Sequence, residues 1–273
     1  MNPRSYLYVP ADNADRLLKS STRGADALIV DLEDGVALAN KQLARTNARV
    51  WLEDLDTQMQ IWVRINEESI EEDLESIVHP KVTGIVLAKS STATYVRNVG
   101  KSLTNHETKA GISNPLSIIP LIESAEGVLN SLEIAKGNRV TRLMLGEQDL
   151  TADLSLPRVS DNQALDYAHN TVIYSSAAAL LAPPIAPVSV NFKDLAKFEE
   201  STLAFLQRGC FGRSCIHPDQ IGIVNRIFMP SEDDIEWAKD VLTRFENANG
   251  GATADAKGNM IDEAVAKRAR RLL

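Results

Sequence analysis

Eight short apolar segments, separated by stretches of helical period, constrain the fold of this chain more than any other feature. Most of them are apolar at consecutive positions, which is typical of strands that are covered on both faces in a parallel sheet. Helical spacing is clear in the stretches 14–21, 41–55, 124–135, 163–181 and 194–207. The alternation predicts parallel βα units with strands at 6–10, 27–31, 61–66, 84–89, 117–122, 143–146, 188–191 and 214–217.

Eight βα units in about 230 residues fit a closed (β/α)8 TIM barrel. A doubly wound open sheet is the alternative, but no glycine-rich dinucleotide turn follows the first strand. The sequence therefore predicts an α/β protein whose residues 1–229 form a (β/α)8 barrel catalytic domain.

The character of the chain changes after Pro230. Ser231 is predicted to cap a charged helix over 232–246, because serine is a preferred N-cap residue. A polar, glycine-containing stretch follows at 247–258, which is typical of a mobile linker or a hairpin. A last helix is predicted to begin near Asp262. Residues 230–273 are thus predicted to form a C-terminal helical extension, of the kind that packs on a neighbour or closes a site.

The overall composition excludes several classes of protein. The 273 residues include 29 Lys and Arg against 37 Asp and Glu, a net charge of −8, which argues against nucleic-acid binding. No apolar run approaches the roughly 18 residues of a membrane span, and the first residues do not resemble a signal peptide. Cys210 and Cys215 are too few for a disulfide framework or a paired metal knuckle. We therefore expect a cytoplasmic protein with no membrane or nucleic-acid partner.

Polar residues follow most of the predicted strands. In a barrel, these positions converge on the active-site mouth at the carboxyl ends of the strands. So much charge on one rim predicts a bound cation or an anionic substrate. The residues concerned are Glu33, Asp34, Arg64, Lys89, Glu123, Glu147, Asp149, Asn191 and His217.

Glu123 and Asp149 follow neighbouring predicted strands, the fifth and the sixth. Because neighbouring strands lie about 4.8 Å apart, the two carboxylates can share one cation. The alternative is that both acids are helix N-caps at βα turns. An acid pair without nearby Cys or His favours Mg²⁺ over Zn²⁺.

The other rim residues each have two interpretations. The planar fork of Arg64 suits a carboxylate or an enolate oxygen, and an ion pair with Glu33 or Asp34 is the alternative. Lys89 can form a Schiff base, although we favour a binding or ion-pair role. For His217 we favour a structural or ligand-contacting role over that of a catalytic base.

Seven motifs along nearly the whole chain resemble one family. Together they resemble the citrate lyase beta-subunit-like group of CoA-ester lyases, within the HpcH/HpaI aldolase superfamily. They are RSYLYVPADNADR at 4–16, DALIVDLEDGVALANKQLAR at 26–45, VRIN at 63–66, IIPLIESAEGVLNSLEIA at 118–135, LGEQDLTADLSLPR at 145–158, FGRSCIHPDQI at 211–221 and GNMIDEAV at 258–265.

The resemblance implies a (β/α)8 barrel that assembles as a homo-oligomer, a trimer or hexamer, and binds Mg²⁺ and a CoA thioester. It implies that Glu123 and Asp149 are the metal ligands, with Glu123 also contacting substrate, and that Arg64 holds the 2-oxo acid. By the same resemblance, Asp262 is the acid that a neighbouring subunit contributes to the site.

Glu33 and Asp34 are expected to hold metal-bound waters and to orient Arg64. Arg16, Lys19 and Lys41 are candidates for binding the CoA phosphates, although solvated helix faces explain them equally well.

Four departures from the family pattern are visible. Ser124 stands where Thr is usual, Ala88 where Pro precedes the lysine, and Ser155 where Gly is common. The stretch 183–187 replaces a more acidic pattern and affects the expected substrate pocket.

The activity implied is Mg²⁺-dependent cleavage of a 3-hydroxy-3-carboxyacyl-CoA into acetyl-CoA and a 2-oxo acid, which is pyruvate, glyoxylate or oxaloacetate. We favour citramalyl-CoA as the substrate over malyl-CoA and citryl-CoA. One alternative is a citrate lyase beta subunit, which works with partner subunits on a carrier-bound thioester. The others are a malyl-CoA-type thioesterase and a relative that binds an acid or CoA without catalysis.

Overall fold

The chain folds into two compact units, Met1–Phe228 and Met229–Leu273. The structure is a computed structural model that describes residues 2–157 and 163–273. Arg158, the last residue of the motif at 145–158, lies outside the described residues. Within the described ranges, no helix combines the length and the apolar character that a membrane crossing needs.

A parallel sheet of seven strands forms the centre of the first unit, which makes this unit an α/β structure. The strands are β1 (Ser5–Pro10), β2 (Ala27–Asp31), β3 (Gln60–Ile65), β4 (Gly84–Leu87), β5 (Ser117–Ile122), β6 (Met144–Leu145) and β7 (Arg213–Cys215). Their order in the sheet is β6-β5-β4-β3-β2-β1-β7, so successive strands lie side by side and β7 returns to β1.

Helices connect these strands in the way that parallel pairing requires. The α-helices of this unit are α1 (Ala14–Ser20), α2 (Lys41–Asp54), α3 (Ile70–Ile77), α4 (Ala93–Ala110), α5 (Ala125–Leu129), α6 (Ser131–Ala135), α7 (Glu147–Asp153), α8 (Ala164–Ala178), α9 (Leu195–Arg208) and α10 (Asp219–Ile227). The prediction of one helix over 124–135 is wrong, because the helix is interrupted at Asn130, between α5 and α6. The side-chain amide of Asn130 donates to the carbonyl of Ser91 at 2.9 Å.

The predicted strand at 188–191 is also wrong. The chain pairs a few residues earlier, where Ile185 makes a parallel bridge to Met144 of β6 and Ala186 makes one to Arg213 of β7. Prolines on either side of these two residues lack the N–H that a longer ladder needs, so the pairing stops after the two bridges. Both edge strands of the sheet are thus joined through residues 185 and 186.

The strands bury both of their faces in two separate layers. Alternate side chains of β2 point to opposite sides: Ala27 and Ile29 belong to an inner cluster, and Leu28 and Val30 pack toward the helices. The inner cluster also contains Tyr6, Trp62, Val86, Ile119, Leu121, Met144 and Ile185. Two residues further along the inward rows of β1, β2, β3 and β5, the side chains are polar. The sheet therefore directs Tyr8, Asp31, Arg64 and Glu123 to the carboxyl end of the inner face.

Replacing Gly84 with alanine should destabilise the first unit strongly. A Cβ there would overlap the backbone carbonyl of Ser117 and approach the Trp62 ring at 2.6 Å. We expect Gly84→Ala to lower the free energy of unfolding by roughly 2–4 kcal/mol. Gly100→Ala is the matched control, because its Cβ would meet only Ile118 Cδ1 at 3.8 Å and Arg139 Cδ at 4.0 Å. It should raise stability by up to about 1 kcal/mol. Urea unfolding measures both, and equal midpoints would contradict the expectation.

The second unit consists of two helices and a hairpin. Helix α11 (Glu232–Asn247) begins with a capping box between Ser231 and Asp234, so the predicted cap is confirmed. The strands β8 (Thr253–Ala254) and β9 (Met260–Ile261) pair antiparallel, so the polar stretch at 247–258 contains the first strand and the turn of a hairpin. Asp262 caps α12 (Glu263–Arg270), accepting from Val265 N at 3.0 Å. The core of this unit consists of Ala238, Val241, Phe245, Ile261, Ala266 and Ala269.

Candidate active site

Arg64 lies in a buried ion-pair cluster on the inner face. Arg64 and Asp31 are register partners on neighbouring strands, and the guanidinium meets the Asp31 carboxylate through Nε–Oδ1 at 2.7 Å and Nη2–Oδ2 at 2.6 Å. Its Nη1 lies 3.0 Å from Glu33 Oε2. The predicted pairing of Arg64 with Glu33 is therefore present. Sequence reasoning did not identify Asp31 as the bidentate partner of Arg64, although its place in the inward row 27, 29, 31 was a usable signal.

The Asp31 carboxylate also organises the turn after β2. It accepts from the backbone N–H groups of Glu33 and Gly35, each at 3.0 Å. Asp34 is exposed and contributes through its backbone, whose N–H donates to Glu33 Oε2 at 2.7 Å. The structure thus brings Glu33 to Arg64 directly and Asp34 only to Glu33.

Electrostatics keep Arg64 charged. Burial lowers the pKa of Arg64, but the negative charge and hydrogen bonds of Asp31 outweigh it, so the net shift is upward. The guanidinium carbon lies 5.0 Å from the centre of the Tyr8 ring, a cation–π contact. Burial raises the pKa of the Tyr8 phenol, which therefore stays neutral. Arg64 is a fixed cation whose orientation is set by two acids and an aromatic face.

Glu123 is a buried carboxylate, 5% exposed, directly after β5. Its Oε1 accepts from the backbone N–H of Lys89 at 2.5 Å. Burial raises the pKa of Glu123 to about 8; the Lys89 N–H opposes this, while the charges of Asp149 and Glu33 add to it. In the described parts of the chain, no Lys or Arg side chain forms an ion pair with Glu123. This carboxylate is therefore available to bind a cation.

Asp149 lies in the first turn of α7 and is exposed. The interpretation of Glu123 and Asp149 as helix N-caps is wrong. Ser124 caps α5 by accepting from Gly127 N at 3.1 Å, and the N-cap residue of α7 is Gly146. Both acids line one cavity of about 490 Å³ together with Glu67, Lys89, Ser91, Ser124, Glu126 and Asp153.

Lys89 lines this cavity and also forms an ion pair with Glu33 of the Arg64 cluster. Its Nζ lies 3.9 Å from Glu33 Oε1, and its side chain is 51% exposed. The residue has a φ of +53°, a left-handed conformation that non-glycine residues rarely adopt and that turns its N–H toward Glu123. Such local strain is often concentrated at functional sites. Lys89 therefore forms an ion pair with Glu33, in agreement with the ion-pair role that we favoured from the sequence.

The side chain of Lys41 forms its hydrogen bonds within the protein. Its ammonium donates to the carbonyls of Leu32 and Glu33 at 2.8 and 2.7 Å and to Asn66 Oδ1 at 2.7 Å. All three protons are used, so the interpretation of Lys41 as a phosphate-binding residue is wrong. Lys41 instead fixes the loop that carries Glu33.

A second cavity, of about 710 Å³, lies where β1 ends, beside α1 and the segment after β7. Arg16, Lys19 and Arg23 line it, so two of the three proposed phosphate-binding residues face the same space. Tyr8 also lines it and lies under Arg64, so this cavity borders the ion-pair cluster. An elongated ligand in this cavity can therefore extend from Tyr8 toward the three cations.

The remaining rim residues have other partners. Glu147 Oε1 lies 2.7 Å from Nε2 of the buried His169. His217 lines the second cavity rather than the first. Asp262 belongs to the second unit, where it serves as the N-cap of α12. Its role in a neighbouring subunit's site stays a prediction.

Comparison with known proteins indicates the family of this chain. The family model described as HpcH/HpaI aldolase/citrate lyase matches residues 4–218. Citrate lyase subunit beta of Leuconostoc mesenteroides subsp. cremoris is 32% identical, over 99% of this chain and 92% of its own. The mitochondrial citramalyl-CoA lyase of Homo sapiens is 28% identical, over 98% of this chain and 83% of its own.

A solved structure is similar over almost the entire chain. It is the protein CitE from Mycobacterium tuberculosis in complex with magnesium, acetoacetate and coenzyme A, with a TM-score of 0.77 and 27% identity, covering 98% of this chain and 96% of that one. The resemblance found in the sequence is thereby confirmed. The chain belongs to the HpcH/HpaI aldolase/citrate lyase family and is a lyase of that family.

Proposed function

We propose that this protein is a Mg²⁺-dependent CoA-ester lyase that cleaves a 3-hydroxy-3-carboxyacyl-CoA into acetyl-CoA and a 2-oxo acid. Citramalyl-CoA is the preferred substrate, followed by malyl-CoA and citryl-CoA. The observation that carries the proposal is the buried carboxylate of Glu123, which lacks an ion-pair partner in the described chain and lies near the fixed cation Arg64.

The donor set at the first cavity fits Mg²⁺. Glu123 and Asp149 offer oxygen ligands only, and Mg²⁺ is commonly bound by one or two carboxylates with water and substrate completing the octahedron. When bound, the ion would polarise the hydroxyl and carboxylate oxygens of the substrate and lower the pKa of that hydroxyl. Glu33 and Asp34 are proposed to hold water at the edge of such a site. The magnesium in the CitE structure supports this assignment.

The chain's own residues position the reacting groups. Arg64 binds the oxygens of the departing 2-oxo acid, and Asp31 and Tyr8 hold its guanidinium in place. A base removes the hydroxyl proton, the C–C bond breaks, and its electron pair passes to the thioester enolate. Protonation of the enolate carbon then gives acetyl-CoA. We assign that proton transfer to Asp262 of a neighbouring copy in a trimer or hexamer.

The architecture proposed for this chemistry is a closed (β/α)8 barrel. The sheet supplies seven strands, and the bridges at Ile185 and Ala186 supply the eighth position between β6 and β7. A closed barrel places all its strand ends around one mouth. This is the arrangement in which Arg64, Glu123 and Asp149 act on one substrate.

The second cavity is proposed to hold the CoA part of the substrate. Arg16, Lys19 and Arg23 are suited to phosphate groups, and coenzyme A is present in the CitE complex. A second candidate function is that of a citrate lyase beta subunit, favoured by the 32% identity to the Leuconostoc protein. In that case the thioester is attached to a carrier protein and partner subunits are required.

Product analysis separates these functions. Purified protein is incubated with citramalyl-, malyl- or citryl-CoA and Mg²⁺, with and without a chelator. Acetyl-CoA together with a 2-oxo acid, both lost on chelation, is the expected result. Release of CoA without a 2-oxo acid would assign a thioesterase. No reaction with any CoA ester would contradict the proposal and favour the carrier-dependent subunit.

Affinity for Mg²⁺ should increase with pH up to about 8. The pKa of Glu123 is raised from 4.5 to about 8, so the folded protein must lose this proton before the carboxylate can bind the ion. Affinity is expected to rise about tenfold per pH unit below that value and to level off above it. Isothermal titration calorimetry from pH 6 to 9 measures this, and a flat profile would contradict it.

The same raised pKa has a consequence for folding without metal. Between pH 4.5 and about 8 the folded state keeps a proton on Glu123 that the unfolded state has lost. The free energy of unfolding should therefore decrease as pH rises through this range, and Mg²⁺ should reverse the loss. Thermal unfolding at several pH values, with and without Mg²⁺, measures the direction of this change in the free energy of unfolding.

A further inference from the structure

Helix α7, which carries Asp149, is attached to the segment around the end of β5. The backbone N–H of Gly146, the N-cap residue of α7, donates to the carbonyl of Ile122 at 2.8 Å. At the other end of the helix, Asp153 Oδ2 accepts from the backbone N–H of Ala125 at 2.7 Å. These two contacts hold α7 beside the end of β5, where the other proposed metal ligand lies.

A pair of side chains attaches α7 to a different element. Glu147, the first residue of α7, meets the imidazole of His169 on α8, with Oε1 and Nε2 2.7 Å apart. Because a carboxylate oxygen only accepts, the imidazole Nε2 carries the proton of this hydrogen bond. The side chain of His169 is 6% exposed, and its ring centre lies 5.0 Å from that of Phe205 on α9. His169 is thus a buried donor whose ring is held in place by packing.

Glu147 and Asp149 point to different sides of α7. Residues two positions apart on an α-helix differ in direction by about 200°, because each residue turns by about 100°. Accordingly, Glu147 meets α8 while Asp149 lines the first cavity. A rotation of α7 by about 20° would move a carboxylate that lies about 5 Å from the helix axis by about 2 Å. Such a shift is comparable to a Mg²⁺–oxygen distance of about 2.1 Å, and Mg²⁺ requires near-ideal octahedral geometry.

We propose that His169 is a positioning residue of the metal site: by holding Glu147, it fixes the rotation of α7 that directs Asp149 to the cation. This inference rests on the proposed function, in which Asp149 is a ligand of Mg²⁺. It gives a role to Glu147, a charged residue at a strand end whose partner is an imidazole. Groups that orient metal ligands commonly account for about ten- to hundredfold in metal affinity.

Isothermal titration calorimetry with MgCl₂ alone tests the inference without turnover. His169→Phe keeps an aromatic ring beside Phe205 but removes the donor, so the Kd for Mg²⁺ should rise about tenfold. His169→Gln should restore most of the affinity, because its amide nitrogen can replace Nε2 as the donor. An unchanged Kd in His169→Phe would overturn the inference while the metal assignment stands. A wild-type protein that binds no Mg²⁺ would overturn both.

His106→Phe is the matched control. Nε2 of His106 lies 2.9 Å from Oε2 of Glu71, which is an imidazole–carboxylate pair of the same kind, but this pair joins α4 to α3. Its loss should leave the Kd for Mg²⁺ at the wild-type value, and a thermal melt of each variant establishes that the titrated protein is folded. Equal weakening of Mg²⁺ binding in His106→Phe and His169→Phe would contradict a specific role of His169.

Two further measurements separate the positioning of Asp149 from a general structural role. Ca²⁺ accepts a more flexible geometry than Mg²⁺, so His169→Phe should weaken Ca²⁺ binding less than Mg²⁺ binding. Equal losses for the two ions would indicate a loosened fold and overturn the inference. In an Asp149→Asn background, where the oriented ligand is already missing, His169→Phe should cause no further loss of Mg²⁺ affinity. A full tenfold loss in that background would show that His169 acts on another group.

Discussion

Asp149→Asn is expected to abolish Mg²⁺-dependent turnover while the protein stays folded. The side chain of Asp149 is exposed and lines the acid cavity, so its change should alter the free energy of unfolding by no more than about 0.5 kcal/mol. Loss of one of two carboxylate ligands removes most of the polarisation of the substrate. We expect the rate to fall by about a thousandfold, which corresponds to roughly 4 kcal/mol of transition-state stabilisation.

Initial rates over a magnesium titration, together with a thermal melt, measure this effect. Glu123→Gln is the companion variant and should lose activity to a similar extent. Glu133→Gln is the control, because Glu133 lies on the surface and, among the described residues, its ion pair is with Lys136, at 2.8 Å. Full activity of Asp149→Asn at saturating Mg²⁺ would disprove the metal assignment.

Arg64→Met should lower both activity and stability. Without the guanidinium, Asp31 and Glu33 remain as buried carboxylates that are no longer neutralised. Breaking a buried ion pair by removing one partner costs about 3–5 kcal/mol of folding free energy. The loss of transition-state stabilisation should reduce kcat/KM by about a hundredfold to a thousandfold.

Arg45→Met separates the two effects. Arg45 also pairs with a buried acid, Asp73, at 2.7 Å, but it lies on α2 and not in the ion-pair cluster of the inner face. It should lose stability while the folded fraction keeps its kcat/KM. Arg64→Lys keeps the charge but not the two-pronged contact with Asp31, so it should recover only part of the activity. If folded Arg64→Met matches the wild type in kcat/KM, Arg64 does not bind the reacting group.

The positions of the site residues were predictable because they depend on local patterns. Seven of the predicted strands lie within two residues of the observed ones, and the polar residue that follows a strand must lie at its carboxyl end. Glu123, Arg64 and Glu33 were identified in this way. Ser155, where the resembled family commonly has glycine, has a φ of +52°. The glycine preference at this position thus has a backbone cause.

The identity of each partner was not predictable. Arg64 had Glu33 and Asp34 as candidates, and the register of β2 against β3 selected Asp31 as its main partner. Lys41 and Arg16 are both basic helix residues, yet one donates all its protons inward and the other lines a cavity. These outcomes depend on which strands and helices pack together, which no local pattern records.

By itself, the sequence determined the alternation of strands and helices, the family, and the chemistry available at the strand ends. These features depend on periodicity and residue type, which act over a few positions along the chain. Only the tertiary structure decided that residues 185 and 186 join the two edge strands, that Glu123 is buried near Arg64 with a raised pKa, and that Phe192 stacks on His217. Each of these brings together groups that are far apart in the chain, and their geometry follows from packing of the whole unit.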